Sequence, residues 1–184
     1  VSRRFNFTAE GFAVQEGLDD TAWRLTFRPT YVVTEDLNVG LELDYTDSPD
    51  WLIWRSAVQR LATHERQQLF ALFKLSWYPA QRHEVRLKAQ WIALRARVLQ
   101  TWVADASGHL IPDATSVDDL SLGQIGLQLR YRYELQPLSD LYVVYSRGGI
   151  DSRDTYAPGL SGLFSTAVDQ ETASMLLVKL RYRF

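Results

Sequence analysis

Leu176–Phe184 reads LLVKLRYRF. Leu176, Val178, Leu180, Tyr182 and Phe184 fall on one parity, and Leu177, Lys179, Arg181 and Arg183 on the other. A period of two sends successive side chains to opposite faces of a strand, so this segment is a strand with one apolar and one cationic face. Each face needs its own surroundings.

The same period recurs in seven further segments. Odd positions are apolar in Phe5, Phe7, Ala9; in Trp23, Leu25, Phe27, Tyr31, Val33; in Val39, Leu41, Leu43, Tyr45; and in Leu69, Ala71, Phe73, Leu75, Trp77. They are apolar again in Val85, Leu87, Ala89, Trp91, Ala93; in Ile125, Leu127, Leu129, Tyr131, Tyr133; and in Leu141, Val143, Tyr145. Between them stand Arg24, Arg28, Glu42, Asp44, Lys74, Arg86, Lys88, Gln128, Arg130 and Arg132, which no dry core accepts unpaired. The last strand changes parity but keeps the period, placing Lys179 and Arg181 with this polar set.

The links between these segments sort by length. TEDLN (34–38), YPAQRH (78–83) and LQPLSD (135–140) carry Pro, Asp and Asn suited to tight reversals. Residues 46–66, 99–121 and 149–169 form longer links, with the short EGLDD on the same side. Tight turns on one rim and long loops on the other predict an all-β fold, a transmembrane antiparallel up-and-down β-barrel. Eight strands lie in this chain, even in number, enough to close alone or to form part of a wider barrel. Residues 1–184 form one domain or the carboxy-terminal portion of a larger barrel.

Depth gives an independent sign. Tyr31, Trp77, Tyr131, Tyr133, Tyr182 and Phe184 come near the short-turn rim, and Trp23, Tyr45, Trp91 and Tyr145 near the long-loop rim, as two interface belts would require. The apolar parity would then face lipid, the polar parity would line the lumen, and Phe184 would end the last strand at the periplasmic interface.

Composition agrees with a folded unit: 184 residues with 20 basic against 22 acidic side chains, 12% aromatic content and no cysteine. Mean hydropathy is −0.20, and no run approaches the ~18 apolar residues of a membrane helix, which excludes a helical membrane protein. Without cysteine there are no disulfides, thiolate metal sites or cysteine nucleophiles. The chain opens in strand-like alternation with no signal peptide, so it reads as a mature or excised piece.

The ending LRYRF resembles the closing strand of outer-membrane barrel proteins, whose carboxy-terminal aromatic residue is read by the barrel-assembly machinery; the resemblance makes Phe184 the assembly signal. DWLIWR, HEVRLKAQW and LRYRYELQPLSDLYVVYSRG resemble the carboxy-terminal barrel region of a family of large, uncharacterised Gram-negative outer-membrane proteins that carry a carbohydrate-binding-module-like domain before the barrel. Over roughly residues 45–184 the likeness implies an outer-membrane location and a glycan-related role, and it transfers no catalytic residues. Outer-membrane lipid and lipopolysaccharide, the assembly machinery, and an absent amino-terminal domain or partner chain are the expected partners.

Other chemistry has little support. His109 lies near Asp105, Ser107, Asp113 and Asp118, but proximity in sequence does not orient a base on a nucleophile, and no enzymatic activity is expected. His64 and His83 stand singly without ligand spacing, so neither metal nor cofactor is expected. Asp118–Asp119 and Asp151–Asp154 read as solvated loop acids. The cations follow one strand parity rather than an exposed stripe, which argues against nucleic acid. Pro29 should force a bulge or an early strand end, and Trp51–Gln68 should extend a hairpin rather than form a helix.

Eleven basic residues against five acids on the polar parity leave six excess positive charges. The expected function is a porin-like passage for small solutes that are anionic or glycan-derived. The alternative is a filled, non-conducting barrel that anchors a periplasmic or surface domain.

Overall fold

A computed structural model describes residues 4–183, so the assembly role expected of Phe184 lies outside the described residues. In chain order the elements are β1 (Phe5–Glu16), β2 (Asp20–Thr34), β3 (Leu37–Arg55), β4 (Arg60–Ala80), β5 (His83–Ala104), β6 (Leu110–Asp113), β7 (Leu120–Gln136), β8 (Ser139–Arg153), α1 (Leu160–Asp169) and β9 (Glu171–Arg181). One antiparallel sheet runs β1-β2-β3-β4-β5-β7-β8-β9, with β6 added to β5 above the stretch that pairs with β7. Its path has two ends: among the described residues β1 and β9 do not pair, so these eight long strands form an open sheet and not a closed barrel.

Cross-strand partners in a ladder project to the same face, so the register tests the parity reading directly. The partners Thr8↔Arg28, Gly40↔Lys74, Lys74↔Lys88, Lys88↔Gln128, Gln128↔Ser146 and Tyr142↔Lys179 carry one polar face from β1 to β9. Val39↔Leu75, Leu75↔Leu87, Leu87↔Leu129, Leu129↔Tyr145 and Tyr145↔Leu176 carry one apolar face. The change of parity at the last strand is absorbed in the register, which pairs Asp140 with Arg181 and Leu141 with Leu180.

The three tight links are hairpins reversing at residues 35–36, 81–82 and 137–138, each beside a shift of register. Neighbouring turns are tied together: the Tyr78 N–H donates to the Asp36 carbonyl at 2.8 Å, and the Glu134 N–H to the Arg82 carbonyl at 2.9 Å. At the other rim β3 and β4 extend as a hairpin to residues 55 and 60, so Trp51–Gln68 is strand as expected. Pro29 neither ends β2 nor opens a bulge. The β2–β3 ladder passes from Phe27↔Leu43 to Thr30↔Gly40 in unchanged register, missing only the pairings at Arg28 and Pro29. Proline, which lacks the N–H, thus removes ladder bonds locally while its neighbours hold the strand.

The link 149–169 is not a plain loop. β8 continues to Arg153, and α1 then folds back across the apolar face. Two glycines permit the contact: a Cβ at Gly123 would lie 2.4 Å from the Leu163 carbonyl oxygen, and one at Gly149 2.0 Å from that of Ala167. Trp91 meets Phe164 edge-on at 5.2 Å, and the Arg147 guanidinium donates to the Val168 carbonyl at 2.8 Å, placing a cation at the negative end of the helix.

Apolar burial is thin. The buried apolar side chains described are Ala22, Ala62, Ala93, Ala96, Leu163 and Ala167. Solvent-accessible area is 11694 Å², against about 9,100 Å² for a compact monomer of this mass. A single layer with both faces open accounts for the excess. No helix described is long and apolar enough to cross a membrane.

Replacing Gly149 by Val should undock α1 while leaving the β7–β8 ladder intact. Amide hydrogen exchange should then accelerate across residues 160–169 but not across the central residues of β7. Equal protection of the helix in both proteins would refute the close-approach role of this glycine.

Candidate functional site

The polar face organises into tiers. Toward β1, Arg28 holds Glu10 at 2.9 Å and Glu42 at 3.2 Å, with Asp44 at 3.8 Å; Lys74 reaches Glu42 at 3.4 Å. Thr26 donates to Asp44, and Arg24 approaches the Thr46 hydroxyl at 3.5 Å. Apart from Lys74, these side chains line an open groove of about 480 Å³. Register makes the network: Thr26↔Asp44 are direct partners, and Thr8↔Arg28 brings Arg28 beside Glu10 two residues along.

Nearer the tight turns a second network spans β5 to β9. Glu84 accepts from Arg86, lies 3.4 Å from Arg130 and 3.6 Å from Arg132. Asp140 is bound by Arg132 at 2.8 Å and by Arg181, and the Tyr142 hydroxyl donates to it at 3.4 Å. Glu134 lies 3.9 Å from Arg132. Asp140 is fully buried, although its place in LQPLSD reads as part of a tight turn. Its signal was present in the spacing, since Asp140 shares parity with Tyr142 across from Lys179. With Asp140 counted, the excess on this face falls from six positive charges to five.

All twelve side chains expected to line a lumen, Arg24, Arg28, Glu42, Asp44, Lys74, Arg86, Lys88, Gln128, Arg130, Arg132, Lys179 and Arg181, therefore share one face. The face is not uniformly polar. Phe70, Leu72 and Ile92 also project from it through the pairs Asp44↔Phe70, Glu42↔Leu72 and Phe70↔Ile92.

The apolar face is bounded. Its rows run from Trp77–Val85–Tyr131 up to Tyr45–Leu69–Ala93. The next row reads Trp23, Asp47, Gln67, Arg95, Ser121, Arg153, so the same face turns polar within one step. Gln67 donates to Asp47 at 3.0 Å, and Arg95 donates to Gln67 and to the carbonyls of Ala157 and Pro158. Trp23 in that row is exposed, and so are Leu25, Tyr31, Trp77 and Leu129 below it. Trp23, Tyr31, Tyr45, Trp77, Tyr131, Tyr133 and Tyr145 lie on this face, and Tyr182 follows β9. Trp91 lies there too but is covered by Phe164, so it meets the helix rather than open surroundings.

Above the band the polar face closes over a cluster. Trp51 and His64 are direct partners with rings 6.0 Å apart, and the Arg66 guanidinium sits 4.6 Å over the Trp51 ring while binding Glu16 at 3.2 Å. His64 is fully buried, and its Nδ1 lies 3.1 Å from the Ala62 carbonyl oxygen. His109, by contrast, is exposed in the β5–β6 turn, 3.7 Å from Asp105, and Ser107 enters through its backbone N–H. Asp118 and Asp119 contact Arg55 and the Val98 N–H, Asp151 pairs with Arg153, and no metal-ligating cluster occurs among the described residues. Asp113 is held below the ordinary carboxylate range by the Thr115 hydroxyl and then by Arg60.

No protein-family model, curated protein or solved structure matches the chain. The likeness to outer-membrane barrels therefore rests on the sequence segments quoted above.

Burial pushes the His64 imidazole below its ordinary value, and the Arg55 charge adds to this against the Ala62 hydrogen bond. A base that binds protons more readily unfolded than folded contributes stability that is lost as pH falls below its unfolded value of about 6.5. Hydrogen-exchange protection at the β3–β4 tip, corrected for the intrinsic pH dependence of amide exchange, should therefore fall between about pH 7 and pH 5. In His64→Phe that dependence should flatten; an unchanged slope would assign it to other groups.

Proposed function

We propose that this sheet is a section of wall from a bacterial outer-membrane β-barrel, with its apolar face in lipid and its polar face lining a water-filled passage for small anions. The observation that carries this reading is the bounded apolar band. From Leu69 to Trp77 the band covers eight residue steps on β4, about 27 Å along the strand and about 21 Å when tilted ~40°. That approaches the ~25 Å apolar belt of an outer-membrane barrel. A soluble protein rarely leaves so large an apolar surface open.

The edges support a wider barrel. In hydrocarbon an open edge is not tolerated, because unpaired N–H and C=O groups find no water there. On β9, Leu176, Val178 and Leu180 are 67%, 63% and 61% exposed, and β1 is exposed along almost its whole length. Further strands beside β1 and β9 would complete the ladders. Charge favours the passage over the filled anchor: an interior of eight strands has room for little beyond its own side chains, whereas five uncompensated cations need water and counter-ions. The segments that resemble outer-membrane barrels point the same way. Lipid and lipopolysaccharide would be the surroundings, and the barrel-assembly machinery and a further domain or chain the partners.

Location and depth are testable together. The protein should partition with outer membranes and require detergent. In lipid, Leu41→Arg, in the middle row of the band, should cost about 2 to 4 kcal/mol of stability, and Trp77→Arg at its edge about 0 to 1 kcal/mol. A detergent-free soluble monomer, or the reverse order of stabilities, would refute the membrane placement.

Passage is tested in a planar bilayer. Steady conductance with anion preference is expected, shifting toward cations when Arg86, Lys88, Arg130 and Arg132 are replaced by Glu. Absence of conductance together with loss of stability in the charge-reversed protein would leave the filled anchor instead.

A further inference from the structure

Between the two ion networks lies a tier whose polar groups have no partner. The side chains of Lys88, Gln90, Gln128 and Ser146 make no hydrogen bond or ion pair among the described residues, although salt bridges are dense on either side. Together with Leu72 and Gly126 they line an open groove of about 350 Å³ on the polar face. Gly126 makes the room: a Cβ there would meet nothing within 4 Å.

The surrounding charges are arranged at a cost to the sheet. Lys74 stands directly opposite Lys88, and Arg86 directly opposite Arg130 in the next row of the same face. Like charges facing each other across strands destabilise pairing. Glu84 relieves the arginine pair and Glu42 relieves Lys74, which leaves Lys88, of these four cations, without an anion among the described residues. An ammonium with unused donors, beside two carboxamides, a hydroxyl and an apolar floor at Leu72, matches a ligand with one anionic group and several hydroxyls.

We propose that this tier is a binding subsite for a small polyhydroxylated organic anion. Its carboxylate sits on Lys88, flanked by Lys74, and its hydroxyls bond to Gln90, Gln128 and Ser146. The two saturated networks fix the walls while the groups between them stay available to the ligand. The inference rests on the reading of this face as a hydrated passage wall, and it adds a saturable site to the diffuse charge preference proposed above.

The test is a binding measurement that does not depend on conduction. The full chain, folded in detergent micelles, is titrated calorimetrically with gluconate, with sorbitol as the uncharged polyol and acetate as the bare carboxylate. Gluconate should bind saturably and at least tenfold more tightly than either control. Lys88→Gln should weaken gluconate about tenfold, in keeping with a hydrogen bond to a charged group, and Gly126→Val should weaken gluconate while leaving acetate unchanged. Both substitutions keep a strand-compatible residue, and circular dichroism identifies either protein if it misfolds; Lys179→Gln, on the same face without an ion pair, should leave gluconate binding unchanged. No saturable gluconate binding by the parent protein, equal binding of all three solutes, or an equal loss in Lys179→Gln would overturn the proposal. Conductance without gluconate binding would sink this subsite and spare the passage, whereas gluconate binding without conductance would do the opposite.

Discussion

Register is the constraint on which everything else depends. With a side-chain period of two, a slip of one residue in any ladder would send Arg28, Glu42 and Asp44 to the apolar face and Leu25, Leu41 and Leu43 to the polar one. The chain guards against this by reversing tightly at one rim, where each register shift lies beside its turn and no hairpin can lengthen unnoticed. Cross-strand ion pairs act from the polar side in the same sense. Arg28 is shared among Glu10, Glu42 and Asp44, and Asp140 between Arg132 and Arg181, so a slip would abandon several charge-assisted bonds together. Shifts within the long-loop extensions, between Ser48 and Trp51 and between Thr63 and His64, fall above the band, where a change of face carries no such penalty.

The eight long strands, their order and the two faces were legible in the sequence because burial on a sheet alternates with the residue count and needs no knowledge of partners, whereas the ninth strand, the short β6, lay hidden in the link 99–121. What was illegible involved contacts across the sheet. Helix α1 was hidden in a stretch rich in Ser, Gly and Pro, and its docking depends on Gly123 and Gly149, which come from two different strands. Asp140 looked like a turn residue until the register set it between Arg132 and Arg181. Pro29 carried a true local signal, a missing donor, but its consequence was decided by the neighbouring strands, which kept β2 in register. The charges on the polar face were legible as a sum but not as networks, since only the register tells which cation lies beside which acid.

Helix α1 and the polar row above the band mark one boundary in two ways. On β3 to β5 the boundary is a change of residue type, from Tyr45, Leu69 and Ala93 to Asp47, Gln67 and Arg95. On β8 charge reaches lower, to Asp151 in the row of Ala93 and to Arg147 two rows below that, and there the helix covers it: Arg147 binds the Val168 carbonyl and lies 3.2 Å from Glu171. The helix thus lets the apolar face carry a cation where a bare strand would expose it. In the proposed barrel this sets the upper limit of the lipid-facing surface, and the β3–β4 hairpin and the β6 edge lie beyond it.

The same logic separates structural charges from functional ones on the opposite face. A charge that holds register has a cross-strand or diagonal partner of opposite sign, as Glu42, Glu84, Arg132 and Asp140 do. Lys88 faces Lys74 on one side and Gln128 on the other, so it contributes nothing to the ladder and, beside a like charge, opposes it. Leucine or threonine at this position would serve the sheet better. That a lysine stands there, over a groove kept open by Gly126, is intelligible if an anion completes the tier, since the bound ion would turn the Lys74–Lys88 repulsion into shared attraction and give the wall a reason to tolerate it.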